Sequence, residues 1–336
     1  MIIKLNKAIL HICNVCSGSL INSDDELDVT QGAISDYIMS HIERVFANPA
    51  ITKGKFTTDS ELKSNIQNYV NQNSTFVNIS QYISDRMYSE YMLCKKPTDF
   101  DVIVADFVAD SKHYIGILKL KGKNGYVHQI MNSNGMVFND LLGHNSVLPF
   151  LNQNIDESAF ISIPDLTIRY ISKEHIIDGE RYNILQEVIL ECRCDAKSSK
   201  DIVDDLKCQL RKTKTPIENA LKVNDYISNQ ATSNDSDKMF SYKEIADIMF
   251  NEESEKNAFI DQALKGRSIS DAEERFEIDD YIISKTNEKI KIETDNGCEI
   301  KFPAHLFNDA TAGIVIKKAS DRVTITISGI SEYKLK

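Results

Sequence analysis

The sequence predicts an α+β fold: N-terminal helices with an antiparallel sheet, then a helical segment and a C-terminal β-meander. Three observations carry this. Between residues 30 and 91, three stretches place apolar side chains at helical spacing. After Pro97 the pattern changes to short apolar or alternating runs, too closely spaced for crossover helices. From about Ser198 helical patterns return, and the last fifty residues pair strand-like runs around turn signals. Two domains follow, 1–196 and 197–336.

Residues 2–12 alternate as a strand, with Ile3, Leu5 and Ile9 on one side and Lys4 and Asn6 on the other. Thr30 reads as the N-cap of a helix ending before Pro49, with Ile34, Tyr37, Ile38, Ile42 and Val45 inward. Thr58 and Glu61 have capping-box spacing and open a second helix. A third begins near Ser74, with Phe76, Ile79, Ile83, Met87 and Tyr91 on one stripe. DFDVIVADFVAD, HYIGILKLKG and GYVHQIM then read as three strands of an antiparallel meander, turning at Asp110-Ser111 and at 122–125. AFISIP and LTIRYI are two more strands, and RYNILQEVILEC reads as another candidate. DIVDDLKCQL and PIENALKVNDYI are helical. Ser241 and Glu244 form a capping box for YKEIADIMF, and EKNAFIDQALKG follows with Gly266 as its stop. EKIKIET and CEIKF flank Asp295-Asn296-Gly297; GIVIKKA and RVTITISGI flank Ser320-Asp321.

Composition narrows the function classes. The net charge is −11, whereas a protein that neutralises phosphates is expected to be basic on at least one face. Residues 1–130 hold 13 Lys and Arg against 14 Asp and Glu, and residues 233–336 hold 15 against 21. Any polyanion-binding surface must therefore arise from local clustering. No apolar run is long enough to span a bilayer, so no membrane association is expected. No signal peptide is read, and seven scattered cysteines suit a reducing cytoplasm.

HICNVC, residues 11–16, invites a metal or redox reading. A structural zinc site needs a second close ligand pair, and Cys192-x-Cys194 has the wrong spacing. A redox Cys-x-x-Cys opens a helix, whereas SGSLINSDD follows Cys16. A partly buried strand using cysteine as a small hydrophobe accounts for it. No metal, cofactor or catalytic residue is assigned.

The strand pair 101–121 invites a nuclease reading, with Asp106 or Asp110 as the first acid and Lys119 or Lys121 as the base. The second acid should lie two residues before the lysine, where the chain has Ile117 and Lys119. The helices around 241–266 do not suit base readout, because the second begins with carboxylates.

Two basic windows remain. Lys119 and Lys121 alternate with Leu118 and Leu120, giving either an ordinary solvated sheet face or, with Lys112 and Lys123, a phosphate-contacting row. Lys207, Arg211, Lys212 and Lys214 crowd one helix end. Asp201, Asp204 and Asp205 lie one turn upstream, so i,i+4 pairing is the alternative to phosphate contact.

The order of elements resembles the bacterial nucleoid-associated protein (NdpA) family. The likeness is carried by LNKAILHI with its Ala-Ile-x-His pattern, by VIVADF and YIGILKLKGK, by Leu148-Pro149 before AFISI, and by the C-terminal run from IKIETDNGCEIKF to RVTITISGI. The resemblance spans essentially the whole chain. It implies a cytoplasmic, nucleoid-located protein that binds double-stranded DNA as a homodimer or larger assembly, and it carries no catalytic residues.

The reading is thus a non-enzymatic protein touching duplex backbone phosphates with little sequence preference. The alternative is an adaptor that reaches the nucleoid by gripping a DNA-processing enzyme through its acidic C-terminal part.

Overall fold

The computed structural model describes residues 1–336 apart from 134–135, 233–237, 265–272, 287–288, 296, 304–305, 308–310, 312, 319–322 and 332–336. Two compact units result, Met1–Ser198 and Ser199–Lys336.

The first unit is built on one sheet. Its elements run β1 (Ile3–Asn14), β2 (Ser19–Ile21), α1 (Gly32–Phe46), β3 (Thr52–Phe56), α2 (Glu61–Val70), α3 (Phe76–Tyr91), β4 (Phe100–Ala109), β5 (Lys112–Leu120), β6 (Lys123–Ser133) and β7 (Met136–Val147). They continue with β8 (Glu157–Ser162), β9 (Thr167–Ile171), β10 (His175–Ile177), β11 (Glu180–Tyr182), a wide helical turn over Ile184–Ile189, and β12 (Cys192–Ala196). Eight strands form an antiparallel sheet in the order β12-β3-β9-β8-β5-β4-β1-β2.

Both faces of that sheet are covered. One packs Val102, Val104, Ile115 and Ile117 against Leu62 and Ile66 of α2 and the Phe76–Ile79–Ile83–Met87–Tyr91 stripe of α3. The other packs Ile103, Ala105, Phe107 and Leu118 against Ile38, Ile42 and Val45 of α1. This explains why β4 reads as an unbroken apolar run: neither side of it meets water. It also divides the LKLK run: Lys119 lies on the layered face of β5, whereas Lys121 follows the end of the strand and is exposed.

Asp110 and Ser111 turn β4 into β5, with φ of 45° and 67°. Positive φ at both central residues matches the twist of a tight hairpin. The turn is pinned where the Ile2 N–H donates to Asp110 Oδ1 at 2.9 Å.

Four local expectations are corrected. In β1 the register against β4 shifts between Leu5 and Lys7. Ile3 and Leu5 therefore pack on the α1 side while Ile9 packs on the α3 side, since one inserted residue reverses the faces downstream. Helix α1 starts after Gln31, with no side-chain cap; the Thr30 hydroxyl and N–H both donate to Asp28 Oδ1 instead. Helix α2 is capped by Ser60, whose Oγ accepts from the Lys63 N–H, so Thr58 and Glu61 form no capping box. Arg181 to Cys192 is not one strand. Ile184, Leu185 and Ile189 enter the α3-side core from the wide turn, and β12 starts only at Cys192.

A further correction concerns the meander. The strand beside β5 is β8, and GYVHQIM lies in β6, which pairs only with β7 as a separate ribbon.

The second unit contains α4 (Ser199–Arg211), α5 (Pro216–Thr232), β13 (Met239–Phe240), α6 (Tyr242–Met249), α7 (Glu253–Leu264), β14 (Phe276–Glu277) and α8 (Asp280–Thr286). Antiparallel hairpins follow: β15 (Ile290–Glu293) with β16 (Glu299–Phe302), and β17 (Ile314–Lys318) with β18 (Val323–Ile327). The capping box of α6 is present: Ser241 Oγ accepts from the Glu244 N–H and Glu244 Oε2 from the Ser241 N–H. Phe240, Tyr242, Ile245, Phe276 and Ile282 centre the core. The expected stop at Gly266 and the turn residues Asn296, Ser320 and Asp321 lie outside the described residues.

Candidate nucleic-acid interface

The alternation Lys119-x-Lys121-x-Lys123 carries one cation inward and two outward. Lys119 is the penultimate residue of β5 and stands directly across from Glu157 on β8. Its Nζ donates to Glu157 Oε2 at 2.5 Å and sits 3.8 Å from the Tyr91 ring centroid and 4.9 Å from that of Phe100. Glu157 Oε1 accepts from Tyr91 Oη at 2.7 Å and from His175 Nε2 at 3.0 Å. Burial alone would raise the Glu157 carboxyl; hydrogen bonds from His175, Lys119 and Tyr91 outweigh it and hold the group at about 2. The carboxylate is ionised, because three donors converge on it.

Around this pair lies a cavity of about 200 Å³ lined by Lys119, Lys121, Lys123, Lys173, His175 and Asp156, among others. Lys121 and Lys123 are exposed at its rim. Lys173 reaches Asp156 at 3.7 Å. Lys112 is at the opposite end of β5, where its Nζ lies 3.8 Å from Asp165; the strand separates it from the other three.

The second unit has its own groove, of about 390 Å³. Its floor is apolar, with Val203, Leu206 and Leu210 of α4 and Ile217 and Leu221 of α5. Its rim carries Lys207 and Arg211 from α4, Lys285 from α8, and Lys289 and Lys291 from the approach to β15 and that strand itself. No carboxylate is among the described residues that line it. Lys291 pairs with Glu299 at 2.7 Å. Lys212 and Lys214 follow the end of α4 outside the groove, and Lys214 donates to Glu255 at 2.7 Å.

Of the eight cations singled out in the sequence, three thus share the first cavity (Lys119, Lys121, Lys123) and two the second (Lys207, Arg211). Lys112, Lys212 and Lys214 stand apart. Sequence reasoning missed Lys173, His175, Lys285, Lys289 and Lys291. The Lys289-Ile290-Lys291 alternation repeats that of the LKLK run and was the available signal; nothing local links Lys173 to β5.

The suspected nuclease acid, Asp106, is also saturated by protein. Its Oδ1 accepts from Asn6 Nδ2 at 2.8 Å and His113 Nε2 at 2.7 Å, and its Oδ2 from Tyr69 Oη at 2.7 Å. The carboxylate that Lys119 meets is Glu157, 38 residues further on, which no Glu-x-Lys pattern would reveal. Among the described residues, no three His, Cys, Asp or Glu side chains are grouped to hold a metal ion. In HICNVC, Cys13 belongs to β1 and packs beside Ser84, where burial pushes its thiol up to about 12.

Fold and clusters together describe a mixed α+β protein that presents two basic concavities of different lining. Residues 9–334 match the model of the family described as nucleoid-associated protein YejK, and the chain belongs to that family. No curated protein matches the chain. Among the described residues, no helix is long and apolar enough to cross a membrane.

Proposed function

We propose that this nucleoid-associated protein binds double-stranded DNA through backbone phosphates, with little sequence preference, and performs no chemistry on it. The observation that carries the reading is the groove of the second unit. Five cations from three separate elements converge on one rim, Lys291 among them paired with Glu299, in a stretch, 199–336, that holds only 21 Lys and Arg against 26 Asp and Glu. Such segregation of charge is what an acidic protein needs in order to meet a polyanion. Lys121, Lys123 and Lys173 supply a second contact; Lys119 sets the floor beneath them. The non-enzymatic reading draws on Asp106 and Glu157, each of which already accepts three hydrogen bonds from protein donors. Two copies acting together would double the phosphate contacts on one duplex.

The adaptor alternative draws on a different feature of the same groove. Its leucine and isoleucine floor suits protein side chains, and the basic rim suits an acidic segment of a DNA-processing enzyme.

A salt series of duplex binding separates the two. Phosphate contact predicts log Kobs falling linearly with log salt, and Lys207→Ala/Arg211→Ala/Lys289→Ala binding several-fold more weakly at low salt. Parent and variant binding duplex equally at low salt would overturn the phosphate reading. Salt-insensitive capture of an enzyme, without retention of naked duplex, would establish the adaptor.

A further inference from the structure

No described residue of the ribbon β6–β7 belongs to the double-layered core of the first unit. Every described residue over 126–132 and 136–144 is exposed. Nine of the ribbon's side chains are nevertheless large and apolar, with His128, Gln129, Asn132, Asn139 and Asp140 between them. Tyr126, Ile130, Val137 and Leu141 share one face, at 77%, 67%, 67% and 71% exposure, because Tyr126 pairs with Gly143, His128 with Leu141, Ile130 with Asn139 and Asn132 with Val137. Val127, Met131, Met136, Phe138 and Leu142 share the other. Between 123 and 147 the ribbon holds one lysine and one aspartate.

An isolated two-stranded ribbon is marginal in water, and exposed apolar patches beyond a few hundred Å² mark interaction surfaces. The possible covers can be told apart. DNA would require cations, and Lys123 is the only Lys or Arg present. The interior of a bilayer would leave the outer edges of both strands unpaired in hydrocarbon. A second copy of the same ribbon supplies what is missing: apolar faces matching its own, and open strand edges. The nine large apolar side chains expose roughly 900 Å² over the two faces together, taking about 100 Å² for each, so a contact that reaches the ~800 Å² per partner of a stable interface covers both faces of the ribbon.

We propose that β6–β7 is the arm through which two copies of this chain associate, with Tyr126, Ile130, Val137 and Leu141 at the centre of a two-fold contact. This gives the two-copy assembly of the proposed function its surface. It does not depend on phosphate binding, since mass rather than DNA affinity is the readout.

Sedimentation of the full chain tests it. The parent is expected to be a dimer at micromolar concentration, and Tyr126→Ser/Ile130→Ser/Val137→Thr/Leu141→Ser to dissociate at least 100-fold more readily with unchanged circular dichroism. In the parent, amide exchange across 126–142 should slow as protein concentration rises, a readout that needs no variant. A parent that stays monomeric at 100-fold higher concentration, or a variant that dimerises equally well, would overturn the proposal. So would binding of a monomeric parent to uncharged phosphatidylcholine vesicles, which would point to a lipid surface.

Discussion

Lys119 and Glu157 face each other across the β5–β8 pair with Nζ 2.5 Å from Oε2, both side chains buried beneath Tyr91 and His175. A charge pair withdrawn from water in this way is held by mutual neutralisation and by the other donors on the carboxylate. It fixes the floor from which Lys121 and Lys123 project.

Removing one partner strands the other. Glu157→Gln or Lys119→Met should each cost about 3–5 kcal/mol in urea unfolding followed by circular dichroism. The double substitution should cost clearly less than the sum, because no unpaired charge remains. A coupling near zero would mean that the pair is effectively solvated.

Acid should destabilise the first unit in two stages. Burial draws His11 down to about 4, opposed in part by Asp85, and its Nδ1 accepts the Ser23 N–H at 3.2 Å. The unfolded chain protonates His11 near 6.5 while the folded one does not, so stability is full above that pH and falls between 6.5 and 4. The loss is on the order of 3 kcal/mol. Glu157 has a folded value of about 2, so its contribution is present above the unfolded value and is lost as pH falls from there toward 2. His11→Asn should flatten the upper stage and leave the lower one; an unchanged upper stage would assign it elsewhere.

The two basic concavities should be separable by salt dependence. If they contact phosphates, Lys121→Ala/Lys123→Ala and Arg211→Ala/Lys289→Ala should each flatten the log–log slope by about 1.8, at ~0.9 per contact. Lys112→Ala, at the far end of β5, should leave it unchanged. Equal slopes for all three variants would argue against phosphate contact at both concavities.

Gly116 is a packing requirement of β5. A Cβ there would lie 2.9 Å from Phe107 Cε1 and 3.3 Å from Phe160 Cδ1, both rings fully buried. Gly116→Ala should cost about 1–3 kcal/mol through overpacking, read from the denaturation midpoint. A neutral result would show that Phe107 and Phe160, whose ring centroids lie 5.3 Å apart, can shift.

Much was legible in the chain because it rests on short-range periodicity. The α3 stripe, the α6 capping box and the paired strands at 100–120 each follow from side chains a few residues apart, where local geometry dictates which ones meet. The basic LKLK run was equally visible, but its solvent exposure was not. Three-dimensional packing alone decided that α2 and α3 roof one face of β5, that Glu157 meets Lys119, and that Lys285, Lys289 and Lys291 join Lys207 and Arg211 on one rim. It also decided that GYVHQIM leaves the sheet for an exposed arm. These pairings span tens of residues, and chain connectivity sets no preference among them until the sheet order is formed.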